Sequence, residues 1–252
     1  MSTLVTDAIV LHSFDYLETS RILRLMTRDA GIQSVIARGA RSSRKRFGGA
    51  LDLFAQGTAE IHVKENRELH SLASLDITRS RGQLAMDVGR FTGGSMIAEL
   101  ALPSSSDEEA SGLFDAVERA LDALSIAEGD ETIDAALAGA WSIVATLGFT
   151  PALDVCANCH ADLEHGAKLV FSHSAGGALC SRCGSLAAGA RVLPASARDA
   201  LRAWIAGECA AKIDMSEARA HQRLLREFVH EHLGGSELRA FRVWEHGEWS
   251  AA

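Results

Sequence analysis

The stretch Cys156-Ala157-Asn158-Cys159-His160 (CANCH) fits three chemistries. C-x-x-C-H is the attachment signature of a c-type haem, and C-x-x-C alone serves half a zinc site or a redox pair. The remaining cysteines choose among them. Of five in the chain, four form two C-x-x-C pairs, Cys156/Cys159 and Cys180/Cys183, separated by twenty residues. That spacing suits a four-cysteine zinc site, because each turn aims two thiolates at one ion and two turns complete a closed tetrahedron. Haem attachment leaves the second pair unexplained. It also requires export, and the opening MSTLVTDAIVLHSFDY lacks a basic start and has its apolar residues interrupted by Asp7 and His12, unlike a signal peptide. The same point argues against a disulfide framework. The expectation is therefore one structural zinc on Cys156, Cys159, Cys180 and Cys183. His160 and His173 are expected at the surface, and Cys209 as a small apolar helix residue.

The chain has 252 residues, with 47% hydrophobic and 23% charged, as a soluble globular protein of two or three units has. No apolar run reaches the roughly 18 residues of a membrane span, so no membrane and a cytoplasmic setting are expected. The net charge of -8 is unevenly divided. Residues 1–80 carry 11 Lys/Arg against 9 Asp/Glu, and the remainder carries 14 against 24. Five cations, Arg38, Arg41, Arg44, Lys45 and Arg46, fall in nine residues with no acid among them. Such a segment either binds a nucleic-acid backbone or forms a solvated loop. Phe47, inside it, is the candidate for base stacking, whereas Phe14, Tyr16 and Phe54 read equally well as core.

Apolar and β-branched runs at 4–12, 20–28, 30–38, 51–64 and 69–80 predict five strands, with the basic loop at 39–49. Five short strands with one long basic loop suit a small barrel of the OB type, although periodicity leaves other small barrels open. From about residue 83 the period changes to three and four, predicting helices over 83–100, 111–127, 131–148, 196–212 and 216–234. The cysteine pairs interrupt this helical half.

Enzymatic readings find little support. A zinc nucleobase deaminase needs H-x-E upstream of P-C-x-x-C. The H-x-E here, His246-Gly247-Glu248, lies downstream, and Val155 and Leu179 stand where the prolines belong. No G-x-x-x-x-G-K-[ST] is present. A zinc-ribbon nucleic-acid-binding regulator without annealing activity is one reading that these parts allow.

The order of the parts favours another, for it resembles the RecO family of bacterial recombination mediators over nearly the whole chain. AIVLHSFDYLETSRILRLMTRDAGIQSVIARGAR (8–41), LGFTPALDVCANCH (147–160) and FSHSAGGALCSRC (171–183) carry the resemblance. It implies an α+β multidomain fold: an OB-fold β-barrel at 1–80 and an α-helical domain at 81–252, the latter with an inserted four-cysteine zinc ribbon at 152–188. It also implies a protein that is not an enzyme. Such a protein binds single- and double-stranded DNA, anneals complementary strands, and with RecR helps load RecA onto DNA coated by single-strand-binding protein (SSB), in the cytoplasm at the nucleoid. Carried over by position, Arg38, Arg41, Arg44, Lys45 and Arg46 contact DNA. The family also binds the acidic, aromatic-ended C-terminal tail of SSB, for which Arg202, Arg223 and Arg226, among apolar helix positions, are the candidates. Ala240 stands where a serine is expected, a departure that weakens any role for the C-terminal segment.

Overall fold

The computed structural model of the chain describes residues 2–40, 47, 51–103, 110–164, 166, 168–210, 213–234 and 238–247. Five strands come first: β1 (Ser2–Tyr16), β2 (Ser20–Thr27), β3 (Gly31–Ala37), β4 (Gln56–Val63) and β5 (Leu69–Arg79). β1 pairs antiparallel with both β2 and β4, as do β2 with β3 and β4 with β5. A short parallel pairing of β3 with β5 over Ser34–Ile36 completes the ring, so the sheet closes on itself in the order β1-β2-β3-β5-β4. Alternation along β1 and β2 splits their side chains between two cores. Ala8, Val10, Leu23, Leu25, Val35, Ala59 and Ile61 fill the inside of the ring. Ile9, Leu11 and Met26 instead join the helical core.

The expected strand at 51–64 starts late. Residues 51–54 turn, and Phe54 takes a left-handed φ of 68° that sends its ring into the helical core. Its N–H donates to the Val10 carbonyl at 2.8 Å.

A 3-10 turn (Gly82–Met86) leads into α1 (Val88–Ala101), α2 (Ala110–Ile126) and α3 (Glu131–Thr146). Asp87 breaks the helix expected over 83–100, because its carboxylate accepts from the Arg90 N–H at 2.8 Å and caps α1. α1 is buried on nearly every side, so its apolar residues show little one-sided pattern. Gly139 of α3 meets α2 where a Cβ would lie 2.6 Å from that of Ala120, so only glycine fits that crossing.

The insertion holds β6 (Leu169–Ser172), β7 (Gly177–Leu179), the single turn α4 (Ser181–Gly184) and β8 (Arg191–Leu193), in a sheet of order β7-β6-β8. α5 (Ala195–Ile205), α6 (Met215–His232) and α7 (Arg239–His246) follow. α5 ends well before the expected residue 212, leaving Cys209 exposed beyond it rather than within a helix. The short aromatic tail does not predict α7; Phe241 and Trp244 bury it against the core.

Charge joins the two halves. Asp115, Glu118 and Asp122 recur at three- and four-residue spacing on α2, and three arginines of the strand region meet them. Arg28 reaches Asp115 at 2.6 Å, with its guanidinium 4.3 Å from the Phe114 ring centroid. Arg79 pairs with Asp122 and Glu118. Arg81, its side chain 1% exposed, donates to Asp122 at 2.6 Å, to the Phe54 carbonyl at 3.0 Å and to Gln56 Oε1 at 2.7 Å. Burial pushes its pKa down and the Asp122 hydrogen bond opposes that, but a guanidinium keeps its charge regardless. Arg81→Met should therefore cost about 2–4 kcal/mol, since it strands a buried carbonyl and amide oxygen. Arg79→Met, at a site about half exposed, should cost under about 1 kcal/mol. Urea unfolding of both variants checks this; equal losses would contradict it.

Candidate metal centre and nucleic-acid interface

Two knuckles present the four thiols. In the first, the Cys156 N–H donates to the Ala161 carbonyl and the His160 N–H returns to the Cys156 carbonyl, both at 2.8 Å. His160 closes this turn with a φ of 60°. In the second, β7 delivers Cys180, and the turn of α4 carries Cys183 back over it, with the Gly184 N–H donating to the Cys180 carbonyl at 2.8 Å. The knuckles are tied together by the Ala157 N–H to the Ala178 carbonyl and by a bridge between Ala152 and Gly177. That bridge needs glycine, because a Cβ on residue 177 would lie 2.3 Å from the Ala152 carbonyl oxygen.

All four sulfurs lie within 4.8 Å of one another, and Cys159 Sγ is 3.8 Å from Cys180 Sγ. Four sulfurs at about 2.3 Å from a central ion sit about 3.8 Å apart, so the cluster has the size of a tetrathiolate metal site. Its electrostatics point the same way. Burial pushes the Cys156 thiol up, but hydrogen bonds from the backbone of Cys180, Cys159 and Asn158 more than offset it and bring it to about 6. Cys183 is pushed up to about 12, first by its hydrogen bond with Cys180 and then by burial. One thiolate forms readily and the next resists, which is the behaviour of thiols crowded together without a cation between them. This group can hold a metal ion. An all-sulfur closed set leaves no open position for catalysis.

His160 is exposed, as expected. His173 is not a surface residue. Its side chain is 13% exposed, with Nε2 3.0 Å from Glu227 on α6. Burial pushes its pKa down against the pull of that carboxylate. Glu227 also takes Arg191 of β8 on both oxygens, at 2.5 and 2.9 Å, so the insertion is pinned to α6.

At the DNA-binding candidates, Arg38 is exposed just past β3 and makes no ion pair among the described residues. Arg41, Arg44, Lys45 and Arg46 lie outside the described residues. Phe47 is 5% exposed and packs inside the closed sheet. A ring so covered has no free face for a base, which removes it as a stacking residue. The aromatics expected as possible core take the opposite place: Phe14 and Tyr16 are 44% and 40% exposed. Alternation along β1 carried that signal, since Phe14 and Tyr16 share a parity with exposed His12, past the bulge near Leu11.

The three arginines assigned to a peptide tail are not brought together. Arg202 is held by Asp154 and by Asp199. Arg226 pairs with Glu245 at 2.8 Å and borders a cavity beside α7. Arg223 is exposed, has no ion pair among the described residues, and borders a different groove of about 360 Å³ between α6 and β8. Phe171, Leu193, Pro194 and Leu224 give that groove apolar walls. Sequence reasoning missed His221, which lines the same groove. It is 3% exposed, stands edge-on to Trp204 at 4.5 Å, and is pushed by burial down to about 4.

Among the described residues, no helix is long and apolar enough to cross a membrane. Comparison with known proteins covers both halves. Residues 1–81 match the family description "Recombination protein O N terminal" and residues 86–240 match "Recombination protein O C terminal". A DNA repair protein RecO from Anaeromyxobacter sp. (strain K) is 34% identical over 242 residues, 93% of each chain. Its counterpart in Anaeromyxobacter dehalogenans is 35% identical over 234 residues, 90% of each chain. That of Myxococcus xanthus is 33% identical over 232 residues, 90% of this chain and 91% of its own. With both family regions matched in order across the same chain that carries the closed sheet and the four-cysteine cluster, this protein belongs to the recombination protein O family.

Proposed function

We propose that the chain is a non-enzymatic recombination mediator in DNA repair. It binds single- and double-stranded DNA, anneals complementary strands and, with RecR, helps load RecA onto SSB-coated DNA, acting in the cytoplasm at the nucleoid. The observation that carries the DNA-binding part is the cation run from Arg38 to Arg46, five charges without an acid, leaving a closed five-stranded sheet at the end of β3. Strand order and closure support an OB-type barrel over residues 1–80. Residues 81–252 form the helical domain on this reading, with 152–188 as its metal module. Lysine and arginine bind phosphates by releasing counterions, which gives affinity to any sequence, as annealing demands.

The metal in this reading is one zinc, held by Cys156, Cys159, Cys180 and Cys183. A d¹⁰ ion with four thiolates and no vacant position supplies folding energy and no redox chemistry. For the SSB tail, the groove beside Arg223 is the proposed seat. Its apolar walls suit an aromatic side chain and Arg223 suits a carboxylate, whereas Arg202 and Arg226 are already engaged by acids.

Three measurements test these parts separately. Reversing Arg44, Lys45 and Arg46 to Glu should weaken binding to all sequences alike. It should also lower the slope of log affinity against log salt by about 2–3, one phosphate contact per residue lost. Wild-type binding by that variant would place the DNA surface elsewhere. Metal analysis of purified protein should find one zinc per chain, and Cys180→Ser should lose it together with thermal stability. Absence of zinc, or a haem absorbance band, would overturn the assignment. Finally, Arg223→Glu should lower affinity for a labelled acidic, aromatic-ended tail peptide roughly tenfold or more while leaving bare-DNA affinity unchanged, on the scale of a lost charge-assisted bond. Anisotropy measures both, and unchanged peptide binding would remove this groove from the reading.

A further inference from the structure

β1 carries a row of rings on the outside of the closed sheet. His12, Phe14 and Tyr16 alternate along the strand and are all exposed, while Leu23, Leu25 and Val35 of the neighbouring strands fill the inside. The His12 and Phe14 rings lie 5.7 Å apart at 58°. Across the ladder, Arg24 stands opposite His12, Ile22 opposite Phe14 and Ser20 opposite Tyr16. Ser34 of β3 continues the row beyond Arg24. His12, Phe14, Ile22, Arg24 and Ser34 border an open groove of about 460 Å³ whose far rim is Glu68 and Leu102, and Tyr16 continues the row beyond it. Arg24 makes no ion pair among the described residues, and its Nε is buried without a hydrogen-bond partner. Isolated exposed apolar residues need no explanation, but a row of rings ending beside an unneutralised cation does.

We propose that this row is a stacking platform for the bases of single-stranded nucleic acid, with Arg24 holding the phosphate backbone beside it. The proposal rests on the reading of the chain as a DNA-binding protein and says which face selects single strands. Spacing favours that ligand. Positions two residues apart on a strand are about 6.8 Å apart, twice the strand rise, and the His12 and Phe14 ring centres stand 5.7 Å apart. Successive nucleotides in a duplex are stacked about 3.4 Å apart on each strand. One base per ring therefore requires a strand pulled out of its stack, which a duplex does not offer. The direction of the chain favours it too. Ala37 pairs with Arg21, next to the Tyr16–Ser20 pair, so the basic segment leaves the sheet at the Tyr16 end of the row. A strand lying along the rings runs on toward Arg38, exposed just past β3. Glu68 repels phosphate from the far rim and keeps the backbone on the Arg24 side. An extended peptide is the poorer fit, because strand addition uses a backbone edge, whereas this row presents rings on the face of the sheet.

The test uses the full chain, with fluorescence anisotropy on an oligo-dT 20-mer and on a random-sequence duplex of equal length. Phe14→Ala with Tyr16→Ala should weaken single-strand binding roughly tenfold or more and change duplex binding less than about twofold. Tyr16→Phe, which keeps the ring, should bind as wild type. Both side chains being exposed, the thermal unfolding of the variants should match wild type. In parallel, photocrosslinking with 5-iodouracil-substituted oligo-dT should label the peptide containing Phe14 and Tyr16. Equal loss on single strand and duplex, full single-strand affinity, or crosslinks confined to other segments would overturn the platform. So would a double variant that binds oligo-dT normally yet loses a peptide ligand, which would give the groove to a protein. If the wild type binds neither oligonucleotide, the DNA reading itself fails and the platform falls with it.

Discussion

Arg81 fixes how the closed sheet sits on the helices. It follows β5 by two residues, takes a left-handed φ of 45°, and turns its guanidinium into the seam. There it binds a backbone carbonyl and a side-chain amide from the start of β4, and a carboxylate from α2. Gln56, held by Arg81 at one end, donates from its other to Glu118 of the same helix at 2.6 Å. A planar fork with fixed donor directions specifies an orientation that apolar contact alone does not. The apolar contact is present as well, since Ile9, Leu11, Met26 and Phe54 belong to the same cluster as the helices. Burial supplies most of the adhesion, and the arginine supplies the register.

The four-cysteine module shows the opposite balance. Its own apolar cluster consists of Cys156, Leu163, Leu169, Ala178 and Leu179, too few to hold two knuckles and three short strands by burial. Two things compensate. The four thiols close the knuckles on one point, and the ion pairs of Glu227 with Arg191 and His173 anchor the sheet to α6. His232 adds its Nε2 to the His173 carbonyl at 2.8 Å. The module is therefore built onto the helical domain from both ends, with Asp154 meeting Arg198 and Arg202 of α5 on the other side.

The element types and the gathering of four cysteines were legible because they rest on short-range rules. C-x-x-C turns, alternation in β1 and β2, and three-four spacing in α2, α3 and α6 each depend on near neighbours. What was not legible depends on partners distant in the chain. Phe47 sits in a basic segment that says surface, yet the inside of a closed ring accepted its side chain. Phe14 and Tyr16 look like core residues by type, yet β1 runs on past the filled part of the ring and leaves them outside. Nothing near Arg81 in the sequence marks it as buried. Only the fold brings Asp122, 41 residues on, to meet it. Arg223 and Arg226, three apart on one helix, look like one patch; β8 and α7 pack on either side and give them different surroundings.

These long-range pairings also decide which charges remain for a partner. The count of 11 cations against 9 acids in residues 1–80 suggests only a faintly basic surface. Of those eleven, however, Arg28 and Arg79 are taken by acids of α2 and Arg21 by Asp15 at 3.3 Å, and Arg81, just past them, is taken by α2 as well. The acids that neutralise the seam come from the helical half, so that half loses three of its negative charges to the interface at the same time. Those pairings make the N-terminal half less basic than its count. Arg24, Arg38, Lys64 and Arg67 make no ion pair among the described residues, on β2, past the end of β3 and in the turn between β4 and β5. A polyanion responds to local potential within about a Debye length, near 8 Å at physiological salt, rather than to the net charge of a domain. A protein acidic as a whole can therefore still offer a polyanion local cationic ground, set by the cations that stay outside the ion pairs of the seam rather than by the count of a domain.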